Sequence, residues 1–219
     1  MIYYERMGDT LWRMRKTLTI VGIGFIILFA GAWYAFSRSP APPAPEPVDT
    51  GTITNSPSGS MALSLTSSAF ENNGSIPSQF TCDAENVSPP LSILGVPEGT
   101  KSLALIMDDP DVPKQLRPDG VFDHWTLFNI SPPPAGGTTE IMQGESAGTA
   151  GANGAGKNEY AGPCPPREYE PSEHRYFFRL YALDTGLDLP EGASKAEILK
   201  AMEGHVIAQA ELMGKYKRQ

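Results

Sequence analysis

His174 to Asp184 reads HRYFFRLYALD, and its alternation decides the fold. Tyr176, Phe178, Leu180 and Ala182 are aromatic or apolar, and Arg175 and Arg179 fall between them. A strand points successive side chains to opposite faces, so one face of this segment is built for a core and the other tolerates charge. His174 opens the apolar face.

The same two-residue period recurs in SLALIM (Ser102 to Met107) and VFDHWTLFNI (Val121 to Ile130). Extended by two residues, the first stretch carries Asp109 on the face of Leu103, Leu105 and Met107. In the second, simple alternation groups His124 with Phe122, Thr126, Phe128 and Ile130 and sets Asp123 and Trp125 opposite. Between such runs lie NVSPPL, GVPEGT, DDPDVP and ISPPPAGG. Proline cannot donate to a central ladder, so these are connectors between strands. One helix is signalled late. Ser194-Lys195-Ala196-Glu197 forms a capping box, Ala196, Ile198, Leu199 and Met202 follow at helical spacing, and Gly204 supplies a left-handed stop. The final VIAQAELMGKY (Val206 to Tyr216), with glycine at both ends, reads as a last strand. Many short strands, one late helix and no internal repeat predict a mainly β domain, an antiparallel β-sandwich with a helical appendage.

The first quarter of the 219-residue chain differs. Thr17 to Phe36, TLTIVGIGFIILFAGAWYAF, is free of charge and long enough to cross a hydrocarbon core as one helix. Arg6, Arg13, Arg15 and Lys16 precede it and Arg38 follows, which orients residues 1–16 to the cytoplasm and the rest outside. Trp33 and Tyr34 suit the outer interface, and the apolar run exceeds a cleaved signal's core, so an uncleaved single-pass anchor is expected. Residues 37–60, rich in Pro, Ser, Thr and Gly, read as a tether, and residues 61–219 as the folded domain at the cell membrane's outer side. In that domain acidic residues outnumber basic ones 21 to 12. Nucleic acid and anionic lipid surfaces are thereby disfavoured as bulk partners, although a local pocket can still hold a small anion. Cys82 and Cys164 are the only cysteines, and an oxidising compartment permits one disulfide. Spacing alone leaves the unpaired alternative open.

Gly144-Glu145-Ser146-Ala147-Gly148 spells GxSxG, the elbow of serine hydrolases. An elbow needs a strand before the serine and a helix after it. Here TTEIMQ precedes and TAGANGAG follows, so the match is assigned to chance and no catalytic residue is expected. A sharper lead is the group Asp109, His124, His174 and Tyr176, which strand faces bring to one place. Two imidazoles and a carboxylate can hold a metal, present N–H donors to an anion, or run acid and base chemistry, and periodicity does not rank these.

Several motifs in order carry a resemblance: FTCDAENVSPPLSI (Phe80 to Ile93), GVPEGTKSLALIMDDPDVP (Gly95 to Pro113), DHWTLFNI (Asp123 to Ile130), GPCPP (Gly162 to Pro166) and HRYFFRLYALD. The domain resembles the phosphatidylethanolamine-binding proteins, nearest their bacterial and archaeal Raf kinase inhibitor-like branch. The resemblance implies a Greek-key pair of antiparallel sheets with a C-terminal helix, no cofactor and no metal. It also implies a pocket for a small anion or phospholipid head group. Motif by motif, it implies Asp109, His124, His174 and Tyr176 as pocket residues, with Gly162 and Pro163 as a wall and Asp111, Pro113 and Arg175 in support. His124 and His174 are then expected to donate N–H groups to the anion, with amides from Gly162 to Cys164 completing the cradle. Asp109 is expected to orient an imidazole, and Asp111 to shape a turn with a cis Val112-Pro113 bond. The family's Asn-Asp-Phe-Gly element is replaced by Asn153-Gly154-Ala155-Gly156, so the aromatic that would pack over this loop is missing. The acidic REYEPSE (Arg167 to Glu173) is expected at the rim, where it disfavours large polyanions. Two other readings stand beside anion binding: a protein-binding module, such as an inhibitor of a protease or a kinase-like partner, and a hydrolase or metalloenzyme.

Overall fold

The computed structural model describes residues 62–134 and 136–219 of the chain. The anchor expected at 17–36 and the tether at 37–60 lie outside the described residues. Among the described residues no helix is long and apolar enough to cross a membrane.

Among the described residues, eight strands and one α-helix follow in order: β1 (Ser64–Thr66), β2 (Leu91–Leu94), β3 (Ser102–Asp109), β4 (Phe122–Ile130), β5 (Thr139–Ile141), β6 (Thr149–Ala150), β7 (Glu173–Leu183), α1 (Lys195–Met202) and β8 (Val206–Lys217). They form a three-stranded sheet, β1-β2-β5, and a five-stranded sheet, β6-β4-β3-β7-β8, with every strand pair antiparallel. The fold is thus mainly β with one late helix, which precedes the last strand.

The main core contains Leu65, Leu91, Ile93 and Ile141 of the small sheet and the apolar faces of β3, β4, β7 and β8 of the large one. Tyr176, Phe178, Leu180 and Ala182 all enter it, as the alternation of β7 requires. A second cluster on the helix side joins Ala104 and Phe128 to Ile198 and Met202 of α1. β3 is therefore buried along its whole length, with apolar side chains on both faces. The helix starts on the expected capping box, in which Ser194 accepts from the Glu197 amide and Glu197 accepts from the Ser194 amide. Its inward face carries Ile198 and Met202, while Leu199 turns to solvent.

Strand β4 departs from simple alternation at two places. Met107 pairs with Trp125 and Asp108 with Asp123, so His124 is an extra residue, a β-bulge. The bulge puts His124 on the core side beside Trp125, and Thr126 and Phe128 do not share its face. Trp125 lies in the main core, whereas Phe128 packs with α1. A second shift lies between Leu127 and Ile130, where Asn129 takes φ 54° and returns Ile130 to the main core. The Asn129 amide group holds this kink by exchanging two hydrogen bonds with the Leu187 backbone, both 2.8 Å.

Candidate functional site

The C-terminal end of β3 and the N-terminal ends of β4 and β7, the three inner strands of the large sheet, meet at one end of that sheet. Asp109, His124, His174 and Tyr176 are all buried there. Tyr176 and His174 share a face of β7, and the Tyr176 and His124 rings meet edge to face with centroids 5.1 Å apart. On its other side His124 meets the Phe122 ring at 4.8 Å.

Each polar atom in this group has a traceable partner or none. Asp109 Oδ2 accepts from His174 Nδ1 at 2.6 Å, and Asp109 Oδ1 accepts from the Asp111 amide at 2.8 Å. The carboxylate therefore orients His174 and closes the Asp109-Pro110-Asp111 turn at the same time. His124 Nδ1 donates to the Ala161 carbonyl at 2.5 Å, and the Ala161 amide donates back to the His124 carbonyl at 2.9 Å. A carbonyl can only accept, so the proton of a neutral His124 is on Nδ1. Burial lowers the His124 pKa below its usual value, more than the nearby Asp109 and Asp123 charges raise it. His124 is thus a neutral ring with a lone pair at Nε2. Two further atoms, His174 Nε2 and the Tyr176 hydroxyl, are buried and have no hydrogen-bond partner. Burial, reinforced by the Asp109 charge, raises the Tyr176 pKa, so its phenol stays protonated.

Several expectations change at this point. His124 Nδ1 is spent on the Ala161 carbonyl and His174 Nδ1 on Asp109, so a neutral His124 offers no donor through Nε2. The Gly162 amide donates to Asn86 Oδ1 at 2.8 Å, and Pro163 has no amide, so neither contributes a donor to a cradle. Their segment is a brace: a Cβ on Gly162 would lie 2.5 Å from the Phe80 carbonyl, and the Pro163 carbonyl accepts from the Cys82 amide. The Cys82–Cys164 disulfide joins the same two segments. Asp111 does more than shape a turn. Its carboxylate takes the Arg175 guanidinium in a two-pronged pair at 2.7 and 2.8 Å and also accepts from the Arg175 amide. That pairing lowers the Asp111 pKa. Pro113 is buried, and its carbonyl accepts from the Leu116 and Arg117 amides. The cis X-Pro bond among the described residues is Glu170-Pro171, not Val112-Pro113.

The loop at Asn153-Gly154-Ala155-Gly156 has its own means of order. Asn153 is buried, accepts from the Ala155 and Lys157 amides and donates to the Glu159 carbonyl. Phe122 packs tightly against the loop: a Cβ on Gly154 would lie 2.8 Å from that ring. Arg117 stacks on the Phe122 ring and bonds the Gly154 carbonyl at 3.2 Å.

Ser146 lies on an exposed turn between β5 and β6, with no helix behind it. Its turn is pinned instead by Ser88, which bonds the Glu145 carbonyl and accepts, through its own carbonyl, from the Gly144 amide. No group of three or more His, Cys, Asp or Glu residues suited to a metal occurs among the described residues.

One group escaped the sequence reading. On the opposite face of the large sheet, Lys195 Nζ bonds Asp108 and Asp123 at 2.7 Å each, and Arg179 bonds Asp108 and Glu211. The two carboxylates raise the Lys195 pKa against the opposing effect of burial. Asp108 and Asp123 flank Asp109 and His124 in sequence, so this network ties α1 to the strands that carry the site. The available signal was a lysine just inside a capping box, facing two acidic strand residues.

The phosphatidylethanolamine-binding protein family model matches residues 66–217. A UPF0098 protein of Methanothermobacter thermautotrophicus is 50% identical over 159 residues, which span 71% of this chain and 99% of the relative. Similar solved structures include these two. One is a phosphatidylethanolamine-binding protein homologue, CT736, of Chlamydia trachomatis, with 43% identity and a TM-score of 0.67 over 72% of this chain and 99% of that one. The other is YbcL of E. coli, described as a member of the mammalian family, with 26% identity and a TM-score of 0.62 over 73% of this chain and 100% of that one.

Proposed function

The chain belongs to the phosphatidylethanolamine-binding protein family, and on that premise we propose that it binds a small oxyanion, a phosphate or phosphoethanolamine-like group, at Asp109, His124, His174 and Tyr176. The observation that carries this reading is the pair of buried, unpartnered atoms, His174 Nε2 and the Tyr176 hydroxyl, beside His124. Leaving such a group without a partner costs about 1–3 kcal/mol, so a ligand that satisfies both gains that much at each. The Tyr176 hydroxyl donates to a ligand oxygen. Asp109 stays out of contact with the anion because its two oxygens hold His174 and the Asp111 amide. No step of catalysis is assigned: Ser146 lies on an exposed turn, and the three histidines bond Ala161, Asp109 and Asp184 instead.

The domain is proposed to work outside the cell membrane, tethered by the apolar segment 17–36. Its disulfide suits an oxidising compartment. Isothermal titration of the full chain in detergent with inorganic phosphate and with phosphoethanolamine tests the reading. Saturable binding that weakens at least about tenfold in His124→Ala supports it, since about 1.4 kcal/mol of lost contact is a factor of ten. Absence of binding by either compound, with inhibition of a protease instead, overturns it in favour of a protein-binding module.

A further inference from the structure

We propose that the cluster takes its oxyanion together with a proton, and so selects a singly protonated phosphate group over an oxyanion that carries none. The inference rests on the anion-binding reading above and concerns which ionic form the site accepts. It follows from where the protons are. The Ala161 carbonyl pins the His124 proton to Nδ1, and the Asp109 carboxylate pins the His174 proton to Nδ1. A neutral His124 ring therefore turns a lone pair, not an N–H, to the ligand. The Tyr176 hydroxyl beside it can still donate.

A fully deprotonated oxyanion has only acceptors and would face the His124 lone pair directly. Two routes relieve this, and both use one proton per anion. In the first, the ligand brings a P–O–H group, which donates to His124 Nε2 while its other oxygens accept from Tyr176. In the second, the ring takes a proton from solvent at Nε2 and donates it to the anion. Burial opposes the second route. His124 meets Phe122 on its own strand, Tyr176 from β7 and the Ala161 carbonyl, and the charges that act on it are those of Asp109 and Asp108 from β3 and of Asp123. Asp109 has both of its oxygens engaged. The neighbouring Asp108 and Asp123 are held by Lys195 on the far face of the sheet. The site thus distinguishes tetrahedral anions of the same size by their protons. A phosphate monoester keeps a P–O–H group up to its second ionisation, near about pH 6, and sulfate has none in this range.

The test is isothermal titration of the full chain in detergent with inorganic phosphate and with sulfate across about pH 5.5 to 8.5, in buffers of different ionisation heat. Phosphate affinity is expected to be flat while the monoanion dominates and then to fall about tenfold per pH unit, with uptake near one proton per anion. Sulfate is expected to bind at least about tenfold more weakly, and to take up a proton wherever it binds. Equal affinity for both anions, with no proton uptake at the alkaline end, overturns this inference and leaves the anion site standing. Failure of both anions to bind overturns the anion site itself.

Discussion

Replacing Asp109 with asparagine keeps the shape of the cluster and changes its protons. Asp109 accepts two hydrogen bonds, from His174 Nδ1 at 2.6 Å and from the Asp111 amide at 2.8 Å. Asparagine has one acceptor oxygen and a nitrogen that can only donate. If the oxygen stays on the Asp111 amide, the new N–H group faces Nδ1, and His174 must move its proton to Nε2. Two bonds to a charged acceptor, about 1.5–3 kcal/mol each, become two neutral bonds of about 0.5–1.5 kcal/mol. The expected loss is about 2 kcal/mol, equivalent to about 4–8 °C in Tm for a domain of this size. Thermal unfolding followed by the fluorescence of the buried Trp125 reads the stability, and long-range proton–nitrogen NMR reads the tautomer. A Tm within about 1 °C of wild type, with the His174 proton still on Nδ1, refutes the assignment of Asp109 as the group that orients this ring.

Lys195→Ala leaves Asp123 without its bonded partner and Asp108 with Arg179 alone; denaturant unfolding should show a loss of about 1–3 kcal/mol, with little change in phosphate affinity. Replacing both Cys82 and Cys164 by alanine opens a loop whose ends are 82 residues apart. The chain-entropy relation puts that loss at up to about 4.5 kcal/mol, and calorimetry on the double variant measures it. The folded-state pKa of His124 lies below its unfolded value of 6.5, so the unfolded chain binds a proton that the folded one refuses. Stability of the ligand-free protein should therefore fall as pH drops below about 6.5, and His124→Phe should remove that part of the slope in an unfolding series. Ser146→Ala should leave phosphate binding unchanged and shift stability by less than about 0.5 kcal/mol, as for an exposed turn residue; a titration and a melt decide it.

The sheet faces were legible wherever a strand ran without a bulge. β7 keeps its period from His174 to Ala182, so its core face could be read directly, and the same period carried Asp109 to the mouth of β3. β4 could not be read this way, because one extra residue at His124 and a left-handed Asn129 reset the alternation. A period of two carries no trace of an inserted residue, and pairing with β3 is what reveals it. The proton inventory of the site was also hidden. It depends on the Ala161 carbonyl, 37 residues from His124, and on the Asn86 side chain, 76 residues from Gly162. Such long-range backbone partners leave no local pattern. The Lys195 network was equally silent, since it is assembled across α1, β3, β4, β7 and β8.

Whether His124, His174 and Tyr176 form one oxyanion site is tested most directly by titrating inorganic phosphate into the full chain and following the ring signals of the three histidines in NMR spectra. His124 and His174 should shift together along one saturating curve. His205, bound to Asp184 and half exposed, should stay in place. Unmoved His124 and His174 signals, or an equal response of His205, would mean that these residues form no oxyanion site.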